Sequence, residues 1–222
     1  IADGVTYFDR MELRSGYSIK NNVFAGGVSG TIEYDNNGSE FTKNAIIGDG
    51  GTLKIGTDGN VNQTVYFTKN LINGQIEHGY NQTYISSTLN NIGPSGSFKA
   101  GNTNSSVENN WWGTTTESEV QTKIYDWNDD PSLGFLDYDP YLTAPSTLVP
   151  VSPPKNVIKQ STTGGVTLSW AANQEADVTG YKIYYGTYNG YSFASSVDVG
   201  NLTSYTLSGA SMSDTIAVTA YD

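Results

Sequence analysis

Cysteine is absent from the 222 residues, so disulfides and thiolate chemistry are excluded and redox compartment leaves no mark on the chain. Positive charge is scarce as well. Eleven Lys and Arg face 22 Asp and Glu, for a net charge of −11. Nucleic acid and anionic bilayers both want a cationic surface, so neither is an expected partner. No run of 18 apolar residues occurs, and no helical membrane span is expected. A leader is missing too: the chain opens at Ile1 and closes at Asp222 within a strand pattern, which suggests a piece of a longer polypeptide. What is abundant is turn and strand material, with 25 Gly and 16 Tyr among many Asn, Thr and Ser. That mixture suits an all-β chain of short strands, and the length suits two domains.

The strongest pattern is a repeat. Gly30-Thr-Ile32-Glu33-Tyr34, Gly51-Thr-Leu53-Lys54-Ile55, Gly74-Gln-Ile76-Glu77-His78 and Gly96-Ser-Phe98-Lys99-Ala100 begin 21, 23 and 22 residues apart. A fixed step of this size is the mark of a solenoid, whose repeats bury their apolar faces only against neighbours. Within each copy, apolar residues flank a charge at strand period. Stacked as parallel strands, Glu33, Lys54, Glu77 and Lys99 form an outward column of alternating sign. A second column runs half a coil away and centres on Asn22, Asn44, Asn70, Asn90 and Asn110, at steps of 22, 26, 20 and 20. Asn tolerates left-handed backbone and bonds the backbone of turns, so stacked turns are expected to align these amides in a ladder. The fourth copy allows Asn91 in place of Asn90.

The Asn column, the coil length and the closing Asn109-Asn110-Trp111-Trp112-Gly113 resemble right-handed parallel β-helix proteins of bacterial and archaeal cell surfaces, solenoids of the pectate-lyase-like kind. The resemblance implies a short helix, an acidic turn and a Pro-containing exit after the tryptophans. Thr116-Glu-Ser-Glu119 reads as a capping box, with Val120 and Ile124 at i, i+4 on one helical face. Asp126 to Leu133 supplies the acidic turn, and Asp139-Pro140-Tyr141-Leu142 to Pro145 the exit. Residues 1–145 are therefore expected to be a parallel β-helix, with 114–145 as a cap that covers its last coil.

Residues 146–154 contain three prolines and read as a stiff linker. Period-2 patterning resumes in Val166-Thr-Leu168-Ser-Trp170, Tyr181-Lys-Ile183-Tyr-Tyr185 and Thr215 to Tyr221. With the Pro-Pro opening and Asp177-Val-Thr-Gly180-Tyr181, residues 155–222 resemble a fibronectin type III module whose last strand is missing. Asp214 or Thr215 stands where that family often has its corner tyrosine. Trp170 is expected in the core.

No catalytic constellation stands out. Lyases of β-helix architecture use Ca²⁺-binding acids and a basic residue, yet the only arginines are Arg10 and Arg14, outside the complete coils. Glycosidases need paired carboxylates on one face, and Asp35, Asp49 and Asp58 occupy different offsets in the repeat. His78, the sole histidine, takes a strand position and reads as structural. Trp112 or Trp111 is expected to close the core of the final coil. Asp126, Asp129, Asp130, Asp137 and Asp139 read either as a solvated acidic turn or as a Ca²⁺ site, though their spacing is not that of an EF-hand; no other cofactor is implied. Asn37, Asn62, Asn81 and Asn201 match the glycosylation pattern. The expected role is a non-catalytic structural or adhesive segment of an extracellular or cell-surface protein, its partners copies of itself or glycan. The alternative is a carbohydrate-binding or polysaccharide-processing β-helix, with its site on missing coils or along residues such as Tyr66, Tyr80 and Tyr84.

Overall fold

The computed structural model describes residues 6–13, 17–34, 40–48, 51–56, 64–80, 84–175 and 177–222. Arg14, Asp35, Asp49, Asp58, Asn37, Asn62 and Asn81 lie outside them. The chain divides into two compact units, Ile1–Pro150 and Val151–Asp222.

The first unit is a parallel β-solenoid of about four turns. Its first sheet stacks Thr6–Leu13, Val28–Tyr34, Thr52–Gly56, Gln75–Tyr80, Ser97–Ala100 and Ile124–Tyr125 in chain order. A second sheet stacks Ser18–Lys20, Glu40–Thr42, Thr64–Thr68, Tyr84–Thr88, Ser105–Ser106 and Leu136–Asp137. A third holds the two-residue strands Val23–Phe24, Ala45–Ile46, Leu71–Ile72 and Asn91–Ile92. Each winding gives one strand to each sheet, so every backbone ladder is made with the winding above or below.

The inward columns show why this sequence winds. Ile32, Ile55, His78 and Ala100 share one register position, and Leu53, Ile76, Phe98 and Ile124 share the next. An aromatic spine threads the interior. Phe24, Phe41 and Phe67 stack with centroids 6.1 and 5.0 Å apart, and His78, Phe98 and Trp112 continue the file in T-shaped contacts at 6.2, 4.9 and 5.5 Å. Each such buried side chain contributes about 1.5–3 kcal/mol.

Gly51 and Gly96 lie where one winding passes close to its neighbour. A Cβ on Gly96 would lie 2.3 Å from the Ile72 carbonyl oxygen, and Gly51 has φ of +84°. Both positions exclude a side chain.

The first repeat corrects the sequence alignment. Gly30 pairs with Leu53, Thr31 with Lys54 and Ile32 with Ile55, so this copy sits two residues out of the expected register. A shift of two leaves every side chain on its own face, which is why the apolar pattern did not reveal it. The outward column is thus Thr31, Lys54, Glu77 and Lys99, alternating in sign only over its last three members, and Glu33 lies opposite Gly56.

Residues 114–145 correct two further expectations. The helix Glu117–Gln121 ends before Ile124, which adds a strand to the first sheet beside Phe98, so Val120 and Ile124 do not share a helical face. Thr116 is the N-cap residue but makes no side-chain cap bond. Thr114 supplies the hydroxyl instead: it accepts from the Thr116 N–H at 3.1 Å and donates to Glu119. Thr114 thus reaches Glu119 from outside the helix. Leu136–Asp137 pairs with Ser105–Ser106, so the segment adds a rung to two sheets.

The Pro-rich stretch is divided between the units. Ser146 exchanges backbone bonds with the Asn91 amide at 2.8 and 3.1 Å, and Val149 packs with Ala45 and Leu71. Residues 146–150 are therefore part of the solenoid rather than a free spacer.

The second unit contains two three-stranded antiparallel sheets. One orders Ile158–Thr162, Gly165–Ser169, Ser204–Ser208; the other orders Phe193–Gly200, Gly180–Tyr188, Ala217–Tyr221. Their inward residues Val166, Leu168, Trp170, Tyr181, Ile183, Val199 and Leu207 form one buried cluster. Trp170 meets Tyr181 edge to face at 5.4 Å. At the position read as the corner, the Asp214 carboxylate accepts from the Ser211 N–H and hydroxyl and closes a turn.

Candidate functional site

The five asparagines form one hydrogen-bonded file. The Oδ1 atoms of Asn44, Asn70, Asn90 and Asn110 each accept two bonds from the winding before. One comes from the backbone N–H of the preceding asparagine, at 3.0, 2.9, 2.8 and 2.8 Å from Asn22 to Asn90. The other comes from its Nδ2, at 3.0, 3.3, 3.0 and 3.0 Å. The second amide hydrogen of Asn44, Asn70, Asn90 and Asn110 goes back to the carbonyls of Ile19, Phe41, Phe67 and Ser87. These four side chains are wholly buried, whereas Asn22 is exposed at the start of the file. Asn90, not Asn91, continues the file; Asn91 bonds Ser146.

The left-handed backbone falls one residue earlier than expected. Asn21, Lys43, Lys69, Leu89 and Asn109 have φ of 60°, 54°, 59°, 60° and 54°. The bend at each of these residues turns the following amide inward. A lysine or leucine held there bears a local cost that the bonded, buried amides offset.

Trp112 is fully buried, and Trp111 is half-buried with a parallel bridge to Asn91. His78 is also fully buried, and neither ring nitrogen has a partner among the described residues. Burial in this apolar setting pushes its pKa down to about 3. The imidazole is a neutral wedge between Phe67 and Phe98, remote from any base role at ordinary pH.

On the outer surface of the first sheet, Glu77 bridges Lys54 at 3.5 Å and Lys99 at 3.8 Å. Thr52 donates to Gln75 at 2.9 Å. Near the last rung an open recess of about 270 Å³ is lined by Gln75, Ser97, Gln121, Lys123, Tyr125 and Asp129 among others. Lys123 points its ammonium at the Gly93 carbonyl, 2.6 Å away. Burial lowers the Lys123 pKa, and Glu119 partly restores it. Tyr66 is exposed on the second sheet, while the side chains of Tyr80 and Tyr84 fall outside the described residues.

The acidic stretch is occupied with its own backbone. Asp126 is buried and accepts from the Asn128 N–H, the Asn128 amide and the Leu136 N–H; its own N–H goes to Asp129. Asp130 accepts from the Ser132 N–H and hydroxyl, which hold its pKa down. Asp137 lies in the last strand of the second sheet, and a cis bond joins Asp139 to Pro140. Among the described residues no three acidic or histidine side chains converge in a metal-ligating arrangement.

In the second unit, burial pushes the Glu175 pKa up, but bonds from the Ser152 hydroxyl and N–H and from Asn173 outweigh it, and the net direction is down. Asp177 goes the other way: burial raises it, with further contributions from Asp222 and Glu175.

Among the described residues His78 is encased, and Asp126 and Asp130 are tied into turns by their own segment. No family model, curated protein or solved structure matches the chain.

Proposed function

We propose that this chain is a non-catalytic structural and adhesive segment of a large secreted or cell-surface protein, a component of a stalk, filament or surface layer. In this reading the first unit is a right-handed β-helix serving as a stiff rod, residues 114–145 cap it, and the second unit is a fibronectin type III-like module for spacing or docking. One observation carries the reading. The interior of the solenoid is given over to packing and to the bonded asparagine file, with its single histidine locked away from solvent. Rigidity in such a stack grows with each winding because every interface is local. Expected partners are copies of the chain or surface glycan.

Incubating the chain with a panel of plant, fungal and bacterial polysaccharides, followed by reducing-end and unsaturated-product assays, tests the non-catalytic half. No product is expected. Sustained turnover that tracks with the purified chain overturns the reading in favour of a polysaccharide-processing solenoid, which the exposed Tyr66 on the second sheet would then serve. Force spectroscopy tests the mechanical half: the solenoid should give way in steps of whole windings, and smooth extension at low force would contradict a rod.

A further inference from the structure

The second unit carries a surface that a spacer does not require. From Ile183 to Val197 there is no Asp, Glu, Lys or Arg, in a chain of net charge −11. The same fifteen residues hold Tyr184, Tyr185, Tyr188, Tyr191 and Phe193, interspersed with Gly, Ser, Asn and Thr. They form the far half of the hairpin made by Gly180–Tyr188 and Phe193–Gly200. Tyr185 packs into the core. Three of the others form a file of rings: Tyr184 to Phe193 at 6.3 Å and Phe193 to Tyr188 at 4.7 Å between centroids. Lys182 ends the file with its ammonium 5.5 Å from the Tyr184 ring.

The tip is ordered rather than loose. Asn189 Oδ1 accepts from the N–H groups of Tyr191 and Ser192 at 2.9 and 2.8 Å, and the Tyr188 hydroxyl donates to the Gly190 carbonyl at 2.8 Å. On this fixed turn Tyr191 is 97% exposed, and Tyr188 is 48% exposed. Tyrosines presented among Ser, Gly and Asn are the material of recognition loops, because they offer wide amphipathic contact for little lost entropy.

We propose that Tyr184, Phe193, Tyr188 and Tyr191 form a platform that binds an uncharged polysaccharide chain. Three observations select this occupant. The fifteen residues from Ile183 to Val197 carry no charge and match a neutral ligand, with Lys182 at the Tyr184 end of the file, and the acidity of the chain repels nucleic acids and polyuronates. Tyr184, Phe193 and Tyr188 run in single file, the shape of a linear polymer, with Tyr191 exposed on the turn that follows Tyr188; a protein partner wants a broad patch with a closed centre. Pyranose faces present C–H groups to such rings, while Tyr hydroxyls, Asn189 and Ser192 can exchange hydrogen bonds with sugar hydroxyls. The inference rests on the adhesive half of the function proposed above and adds a ligand class to it.

Affinity electrophoresis of the full chain through gels containing β-glucan, mannan, galactan or polygalacturonate is the test. Retardation by at least one neutral polymer is expected, unchanged by 0.5 M salt (roughly the regime where surface charge is screened), with none by polygalacturonate. Tyr188→Ala and Tyr191→Ala, both at exposed positions, should each weaken binding about tenfold or more, as expected for interface anchors. Tyr66→Ala should leave it unchanged and so separates this platform from one on the solenoid. Failure of every neutral polymer to retard the chain overturns the proposal, as does retardation that survives both hairpin substitutions. Concentration-dependent dimerisation abolished by Tyr191→Ala would assign the tip to self-association and overturn the glycan reading, while leaving the structural role intact.

Discussion

The two units spend the same residue types in opposite ways. The solenoid buries its amides and rings: Asn44, Asn70, Asn90 and Asn110 vanish from the surface, and Phe41, Phe67, Phe98 and Trp112 stack down its interior. The second unit has an ordinary apolar core around Trp170 and displays Tyr188, Tyr191 and Asn201 to solvent. Burial of an amide is stable only where each hydrogen-bonding group finds a partner, and in-register parallel windings supply those partners by translation. An antiparallel unit has no such repeat, so it satisfies its partly buried polar groups one by one, as Asn173 does with Ser152 and Glu175, rather than by a translated file.

Substitutions should expose that contrast most sharply at the middle of the file. Replacing Asn70 by Ala removes bonds to Asn44, Phe41 and Asn90 and leaves buried groups without partners. The solenoid should lose about 3–6 kcal/mol. Asn201→Ala in the second unit should change stability by less than about 0.5 kcal/mol. Hydrogen exchange followed unit by unit during denaturation separates the two, and an equal response would dissolve the distinction.

Acid should also divide them. His78 is neutral when folded, with its pKa near 3 against 6.5 when unfolded, so the unfolded chain takes up the proton first. The contribution is level above pH 6.5 and falls by about 1.4 kcal/mol per pH unit below it, until the folded pKa is reached. A His78→Leu variant should lack that slope, and the solenoid's stability relative to the parent should rise by roughly 2 kcal/mol between pH 6.5 and 4.5. Parallel pH profiles for parent and variant would contradict a buried, uncharged imidazole.

Smaller effects test backbone crossings. Gly96→Ala places a methyl group against the Ile72 carbonyl and should cost about 1–3 kcal/mol, whereas Gly190→Ala, in open space at the hairpin tip, is strained only by its φ of +94° and should cost about 1 kcal/mol. Leu89 occupies a left-handed position held in other windings by Asn21 and Asn109. Leu89→Asn should raise solenoid stability by about 0.5–1 kcal/mol, read as a higher melting temperature.

Much of the solenoid was legible because its spacing repeats and its asparagines are chemically singular. The Gly51, Gly74 and Gly96 copies stack in the expected register, and so does the file from Asn22 to Asn110. The Gly30 copy was misread because a two-residue slip is invisible to a period-2 pattern. The turn chemistry was misplaced by one residue, since propensity favours Asn for left-handed backbone while the structure puts Lys43, Lys69 and Leu89 there and reserves Asn for the inward bond. Thr114 escaped notice because the capping-box spacing pointed to Thr116, and tertiary pairing at Ile124 ended the helix early. The aromatic platform left a signal in the sequence, fifteen residues without a charge, that only the ring file made meaningful.

Amide exchange at single-residue resolution addresses the stacked file head-on. The backbone N–H groups of Asn44, Asn70 and Asn90, each bound to a carboxamide oxygen in the next winding, should rank among the slowest in the chain and lose protection together in Asn70→Ala. Rapid exchange at those three positions in the parent protein would show that the windings are not joined through their asparagines.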